Sequence, residues 1–552
     1  MSPNLPHLVV APVVLPLVAA ALLLLLGERR RRLATIVNLA ATGAGLLVAL
    51  EILKRVDADG VPGAIGVYLA SNWEAPFGIV LVADRLSALM LVLTGVVSLA
   101  TALYATAAWS RAGAYFHPLL QLQLMGLNGV FLTGDLFNLF VFFEVMLAAS
   151  YGLLLHGSGW ARVHSGLHYI AVNLLASSLF LVGLAILYGI VGTLSMADIA
   201  AKLPLVAATD RGLLHAGAAI LAVAFLTKAA IWPLDFWLVP AYAAASAPVA
   251  ALFAIMTKVG IYALLRLSTL FFSADAGPSA NLGASVFLYG GLATVAFGVL
   301  GLMASLRLGR IAGFSIIVSA GTLLAAIGVG VASVTSTALF YLLNATLAAS
   351  ALFLLVELVE RHGIDGKRAP LPAPDVEPDE DTNLDDDEEA LVGRVIPVSL
   401  ALLGLAFVAS AVLVAGLPPL SGFVAKFTLM AALARSAELG LSTATTVAIW
   451  WLFGLLLLSG FVATASMARA GIRHFWAPPD RPAPHLAVAE GVSVFALILV
   501  CAWLTVRAEP VLRYTSDAAE ALYAPTAYID AVLSTKPRPG PQRPIVDSKA
   551  AP

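Results

Sequence analysis

There is one cysteine in the 552-residue chain, Cys501, so it can form no internal disulfide and no cysteine-based metal site. Charge is scarce as well. Only 12% of residues are Asp, Glu, Lys or Arg, about half of the roughly 25% a soluble globular domain carries. The small formal net charge of -2 points to neither nucleic acid nor an acidic or basic substrate. The apolar runs are too long for barrel strands of about ten residues, so strands are not expected. A cleavable leader is not expected either: Leu8 to Leu26 is a full-length apolar run, no Lys or Arg precedes it, and Arg29 to Arg32 follow it.

What the chain has instead is apolar length. It is 60% hydrophobic with a mean hydropathy of +0.94, and its Leu/Ala/Val/Gly-rich runs predict an all-α polytopic membrane protein. At about twenty residues each, roughly fourteen spans fit. They lie near 8–26, 33–53, 78–106, 115–133, 135–155, 165–191, 213–240, 247–272, 285–306, 311–332, 335–359, 396–433, 444–468 and 487–506. Two of these, 213–240 and 396–433, are too long or too interrupted to be plain helices. Arginines after the first span place that loop in the cytoplasm, and Arg111, Arg162, Arg307 with Arg310, Arg361 and Arg469 fall on the same side, so both termini are expected outside. The acidic stretch Pro374 to Glu389 and the tail from Lys536 read as unstructured.

A charge at the bilayer centre costs about 2.5–3.5 kcal/mol on insertion scales, so each one needs a reason. Four qualify: Glu144, Lys228, Lys258 and Lys426. Glu144 lies nine residues past Asp135, roughly 13 Å deep at 1.5 Å per residue. Lys258 is about as deep in its own span. Lys228 precedes a helix break at Pro233, and Lys426 follows one at Pro418 and Pro419, where Gly416 and Gly422 loosen the flanks. Broken helices at membrane depth are tolerated where they are buried in protein or line a watery cavity. One interrupted segment in each half of a chain points to a transport site. Burial disfavours the charged form of any ionisable group and an opposite charge favours it, so a lysine near a mobile carboxylate forms a proton switch without a cofactor. The alternative is that such charges only pin helices together.

Other positions carry weaker signals. Asp84 reads as a helix-end anchor, Asp235 as a cation ligand or the cap of a half-helix, and Glu357 as a carboxylate snorkelling to the interface. His164 and His168 have metal spacing without a third ligand, so no metal site is expected. Lys202, Arg266 and Arg307 read as ordinary loop or interface charges.

The stretches "LTGDLFNLFVFFEVMLAASYGLLLHG", "GTLSMADI", "FLTKAAIWPLDFWLVPAYAAASAPVAALFAIMTKVGIYALLR" and "GLPPLSGFVAKF" resemble the antiporter-like subunits shared by respiratory complex I and the multisubunit Mrp/Pha cation/proton antiporters. They are most similar to the D-type subunit of those antiporters, with a first break like that of the potassium-type Pha branch of proteobacteria. The resemblance implies fourteen helices with two inverted five-helix repeats, at about 115–272 and 285–468. Three helices would precede them within 1–114, an acidic loop at 362–393 would interrupt the second, and a last helix and tail would occupy 487–552. It also implies roles for the four buried charges: Glu144 as the essential carboxylate of the fifth helix, and Lys228, Lys258 and Lys426 as relay lysines. Two positions depart from the pattern. Asn344 and Ala349 stand where many relatives carry a histidine and a lysine, so water or Asn344 must bridge the central relay. Asp235 stands where complex I relatives usually carry a histidine.

The implied function is that of a membrane subunit of a Na⁺(K⁺)/H⁺ antiporter, with no cofactor and no chemistry in the chain itself. Its partners would be other subunits, protons, Na⁺ or K⁺, and lipid. Its place would be the bacterial inner membrane, with both termini periplasmic. Two other readings stay open: a proton-pumping subunit of a quinone reductase or membrane-bound hydrogenase, and a bundle that only scaffolds its partners.

Overall fold

A computed structural model describes residues 5–57, 65–364, 397–475 and 486–537. All but the first three residues of the expected loop 362–393, and all but the first residues of the tail, lie outside them. The chain opens with α1 (Leu5–Leu26) and α2 (Arg31–Asp57), then β1 (Gly66–Leu69) and β2 (Val80–Ala83), and α3 (Arg85–Ala105). Next come α4 (Phe116–Leu132), α5 (Leu136–Leu155), α6 (Trp160–Val191) and the short α7 (Met196–Lys202). The first broken helix is α8 (Arg211–Lys228) and α9 (Leu238–Ala244), followed by α10 (Ala247–Phe253) and α11 (Met256–Phe271). Then follow α12 (Ala284–Ala304), α13 (Leu308–Val329) and α14 (Ala332–Ile364). The second broken helix is α15 (Val398–Ala415) and α16 (Ser421–Ala437), and the chain continues through α17 (Thr443–Phe475), α18 (Val488–Val506), α19 (Ala508–Tyr523) and α20 (Thr526–Leu533).

Thirteen helical stretches among the described residues are long and apolar enough to cross a membrane. The 17-residue α4, about 25 Å long at 1.5 Å per residue, completes the expected set. The α10–α11, α13 and α14 segments are almost wholly buried, whereas α1, α2 and α6 keep leucines such as Leu25, Leu47 and Leu175 exposed. Buried helices surrounded by ones with an apolar outer face are what a bundle in lipid requires.

Five sequence expectations change. Strands do occur: β1 and β2 pair antiparallel, Gly66 opposite Ala83. The third span therefore starts at Arg85, not near 78, with Asp84 as its N-cap accepting from Ser87 N at 2.9 Å. The eighth span is interrupted at Ala254 and Ile255, a break that no proline or glycine announces. Between α18 and the tail from Lys536 the chain forms two further helices. Arg266 is not an interface charge: it is buried on α11 and grips Asp84 with both terminal nitrogens, at 2.5 and 2.8 Å. Its guanidinium also lies over the rings of Tyr262 and Tyr528, which ties α20 to the same lock.

Candidate functional site

Lys228 is the last residue of α8, and the chain does not regain a helix until Leu238. Ala230 takes a left-handed φ of 54°, and Pro233 follows a cis bond inside the break. A helix end at membrane depth leaves carbonyls without partners. Here the indole of Trp237 donates to Thr227 O at 3.2 Å. Asp235 is buried inside the break but does not cap α9, whose N-cap receives no side-chain bond.

The Lys228 ammonium turns away from the break. Its Nζ donates to Ser177 Oγ on α6 at 3.2 Å, Ser177 Oγ donates to Glu144 Oε1 on α5, and the Phe143 ring lies 5.2 Å from the nitrogen. Lysine and glutamate thus form no direct ion pair; a buried hydroxyl stands between them. A hydroxyl that accepts from an ammonium and donates to a carboxylate can pass one proton while giving up another. Sequence reasoning missed Ser177. A serine adds little cost in an apolar helix, so a search by membrane cost does not see it, and its separation of 33 residues from Glu144 has no helical meaning. Glu144 itself is only half-buried.

Lys258 lies two residues after the start of α11, just past the unannounced interruption, and is 1% exposed. Its Nζ donates to Ser319 Oγ on α13 at 2.5 Å. Two residues further on, Gly260 meets α8: a Cβ there would lie 2.8 Å from Ala229 N and 2.9 Å from Phe225 O. Only a glycine permits that approach, and it brings the helix segments bearing Lys228 and Lys258 together.

At the second break, α15 ends at Ala415 and Gly416 reverses the chain at φ 77°. Pro418 and Pro419, joined by a cis bond, lead to α16 at Ser421. Lys426, on the second turn of α16, folds back so that Nζ donates to Ala415 O at 2.9 Å. Ser421 Oγ donates to Asn344 Oδ1 on α14 at 2.7 Å. Between them lies a cavity of about 30 Å³ lined by Ser319, Tyr341, Asn344, Lys426 and Ser459. A water needs on the order of 10–15 Å³ and two to four polar partners; this cavity offers both.

The remaining positions play other parts. Glu357 does not snorkel: it accepts from Trp109 Nε1 at 2.7 Å and from Arg361 at 2.5 Å, and Arg361 also reaches Glu490 at 3.0 Å. Lys202 pairs with Asp198 at 2.8 Å, and Arg307 precedes α13 as its N-cap. His164 and His168 stack edge to face on the exposed side of α6.

Residues 133–451 match the family described as "NADH:quinone oxidoreductase/Mrp antiporter, TM". The matched segment contains Glu144, Ser177, all three lysines and both breaks. A probable K(+)/H(+) antiporter subunit of the D type from Rhizobium meliloti is 50% identical over 98% of this chain and 100% of its own length. The chain belongs to the D-type branch of the Mrp antiporter family. A D-type Na(+)/H(+) antiporter subunit from Alkalihalophilus pseudofirmus is 34% identical over 96% of this chain and 99% of its own. A chain of the Mrp complex from Dietzia sp. DQ12-45-1b superposes with a TM-score of 0.79 at 27% identity, covering 97% of this chain and 100% of that one. This D-type chain is therefore a relative of transporter subunits that work inside larger membrane assemblies.

Proposed function

We propose that this D-type chain carries protons through the membrane part of a multisubunit antiporter that exchanges internal K⁺ or Na⁺ for external protons. The 50% identity to a relative named for K⁺, against 34% to one named for Na⁺, favours potassium. The observation that carries the reading is the series of donors and acceptors across the bundle: the half-buried Glu144 with buried Ser177 and Lys228, then Lys258 and Ser319, then the small cavity shared with Asn344 and Lys426. In this reading the α8–α11 crossing hands the proton from Lys228 to Lys258, and a water in the cavity stands in for the absent histidine and lysine. The gradient drives the exchange, each charge being worth about 2.3 kcal/mol per 100 mV.

The half-buried Glu144 supports dependence on other subunits, since a carboxylate at mid-membrane depth needs cover from lipid. The two repeats are taken as 115–272 and 285–468, each with one helix broken at proline. The arginine-rich loops support a bacterial inner-membrane chain with both termini in the periplasm.

The test uses everted vesicles bearing the whole complex, with collapse of ΔpH followed on adding K⁺ or Na⁺. The parental complex should respond, more to K⁺ than to Na⁺. Glu144→Gln should abolish the response with the complex still assembled, and Glu144→Asp should keep part of it. Near-parental exchange by Glu144→Gln removes the carboxylate from the mechanism, and exchange by the purified chain alone overturns the multisubunit reading.

A further inference from the structure

The α1–α2 turn and the α3–α4 connection come together and form a cavity of about 360 Å³ that no relay residue lines. That is at the lower end of small-molecule pockets, roughly 300–1,000 Å³. Arg31, Arg32 and Arg111 line it, and among the residues whose side chains are described no acidic one does. The guanidinium groups of Arg32 and Arg111 are exposed, and among the described residues neither has an ion-pair or hydrogen-bond partner. The floor is buried and polar, where His117 Nε2 lies 3.3 Å from Thr35 Oγ1.

The walls differ in kind from the rim. Leu23 and Ile36 line the cavity from α1 and α2. Beside them Leu22, Leu25 and Leu33 face outward, together with Ile36, which is 63% exposed. An apolar strip thus runs from the arginine rim along the membrane-facing side of both helices. A free anion accounts for the arginines and leaves the strip unexplained. An acidic peptide does the same. A molecule with a phosphate at one end and hydrocarbon at the other accounts for both.

We propose that this cavity is a binding site for the phosphate headgroup of an anionic phospholipid. Arg32 and Arg111 would fork onto the phosphate oxygens and the acyl chains would lie along α1 and α2. Guanidinium suits this role because its planar donors match phosphate in pairs. Juxtamembrane arginines attract anionic lipids of the cytoplasmic leaflet, the side to which the arginine-rich loops assign the α1–α2 turn. The inference rests on the membrane orientation proposed above and not on the proton relay, so the relay can fail without touching it.

The whole complex, purified in mild detergent and stripped of lipid, is titrated separately with phosphatidylglycerol, phosphatidylcholine and inorganic phosphate. Bound lipid is counted by native mass spectrometry, and protection of Arg32 and Arg111 from phenylglyoxal is read by peptide mass. Phosphatidylglycerol should add one lipid and protect both arginines; phosphatidylcholine and millimolar phosphate should do neither. Arg32→Gln/Arg111→Gln should weaken that lipid at least fivefold. Ser110→Asp, which puts an acid into the wall and leaves both arginines in place, should do so too, guarding against a misfolded double variant. Equal retention of phosphatidylglycerol by parent and both variants overturns the proposal, as does equal binding of phosphatidylcholine. Protection by phosphate alone makes the site a simple anion site. Protection already present in the lipid-free complex gives the cavity to a protein segment.

Discussion

The two broken helices look alike in sequence, each a lysine beside proline inside an apolar span, yet they hold their cations differently. At the first break the lysine ends the leading half-helix and reaches sideways, through Ser177, to a carboxylate on another helix. At the second the lysine sits on the trailing half-helix and reaches back to the terminal carbonyl of the leading one. The C-terminal end of a helix carries the equivalent of roughly half a negative charge. Lys426 therefore rests against a fixed partial charge of the backbone, whereas Lys228 reaches, through the Ser177 hydroxyl, a carboxyl group on a side chain that can rotate. Only the first partner can be moved or neutralised without unfolding a helix. Within the proposed relay, switching then belongs to the first break and steady conduction to the second.

The largest effect should come from separating charge from proton exchange. Lys228→Arg keeps the cation and can still pair through Ser177, but a guanidinium holds its proton at every usable pH. A positioned proton-transfer group contributes typically 10²–10⁴-fold, so exchange in everted vesicles should fall about 100-fold or more with assembly intact. Parental rates across pH 7–9 would make Lys228 a structural cation and erase the contrast between the breaks.

Next in size is the turn that aims Lys426. Gly416 has φ 77°, and a Cβ there would lie 2.5 Å from Lys426 Cδ. Gly416→Ala combines a left-handed penalty of about 1–2 kcal/mol with displacement of the lysine stem. A lower Tm and roughly tenfold slower exchange are expected, tenfold being about 1.4 kcal/mol. The first break supplies the control. It already has an alanine, Ala230, at φ 54°, so Ala230→Gly exchanges a relieved strain for a lost methyl and added chain entropy. It should change stability by less than about 1 kcal/mol. Equal destabilisation by both changes would show that the two turns do not differ in the way described.

A smaller loss should follow from Ser177→Ala, which removes the bridging hydroxyl and leaves both charges in place. Exchange is expected to drop about fivefold to tenfold, and Ser177→Thr should restore most of it. If the alanine variant is unimpaired, lysine and glutamate communicate directly or through water, and the first break is no longer distinguished by a side-chain bridge.

How legible all this was in sequence depends on what each feature costs in a membrane. Lys228, Lys258, Lys426 and Glu144 stand out because a charge in hydrocarbon is expensive, and Pro233, Pro418 and Pro419 because proline cannot continue a helix. The fourteen spans follow from apolar length. What stayed hidden is cheap or non-local. Ser177 and Ser319 are polar residues that any transmembrane helix tolerates. The interruption before Lys258 falls at Ala254 and Ile255, residues with no helix-breaking chemistry. Arg266 looked like an interface charge because its partner Asp84 is 182 residues away. The hairpin escaped because Val80–Ala83 is as apolar as the helix it leads into.

The smallest effect tests the centre, where the chain departs from the family pattern. If a water in the cavity between Ser319, Asn344 and Lys426 already connects the halves, restoring a titratable ring should matter little. Asn344 Oδ1 accepts from Ser421 at the first residue of α16. A histidine nitrogen can take over that role in the tautomer that leaves it unprotonated. Asn344→His should therefore change exchange by no more than about threefold, or ~0.65 kcal/mol of barrier. Asn344→Leu is the sensitive companion. It keeps comparable bulk, removes the acceptor from Ser421 and turns a polar wall apolar, leaving a water there with fewer partners. It should slow exchange more than Asn344→His does. A large gain from Asn344→His would mean that the centre, and neither break, limits the rate. Indifference to both substitutions would mean that protons do not cross there at all, and that the two breaks serve separate paths.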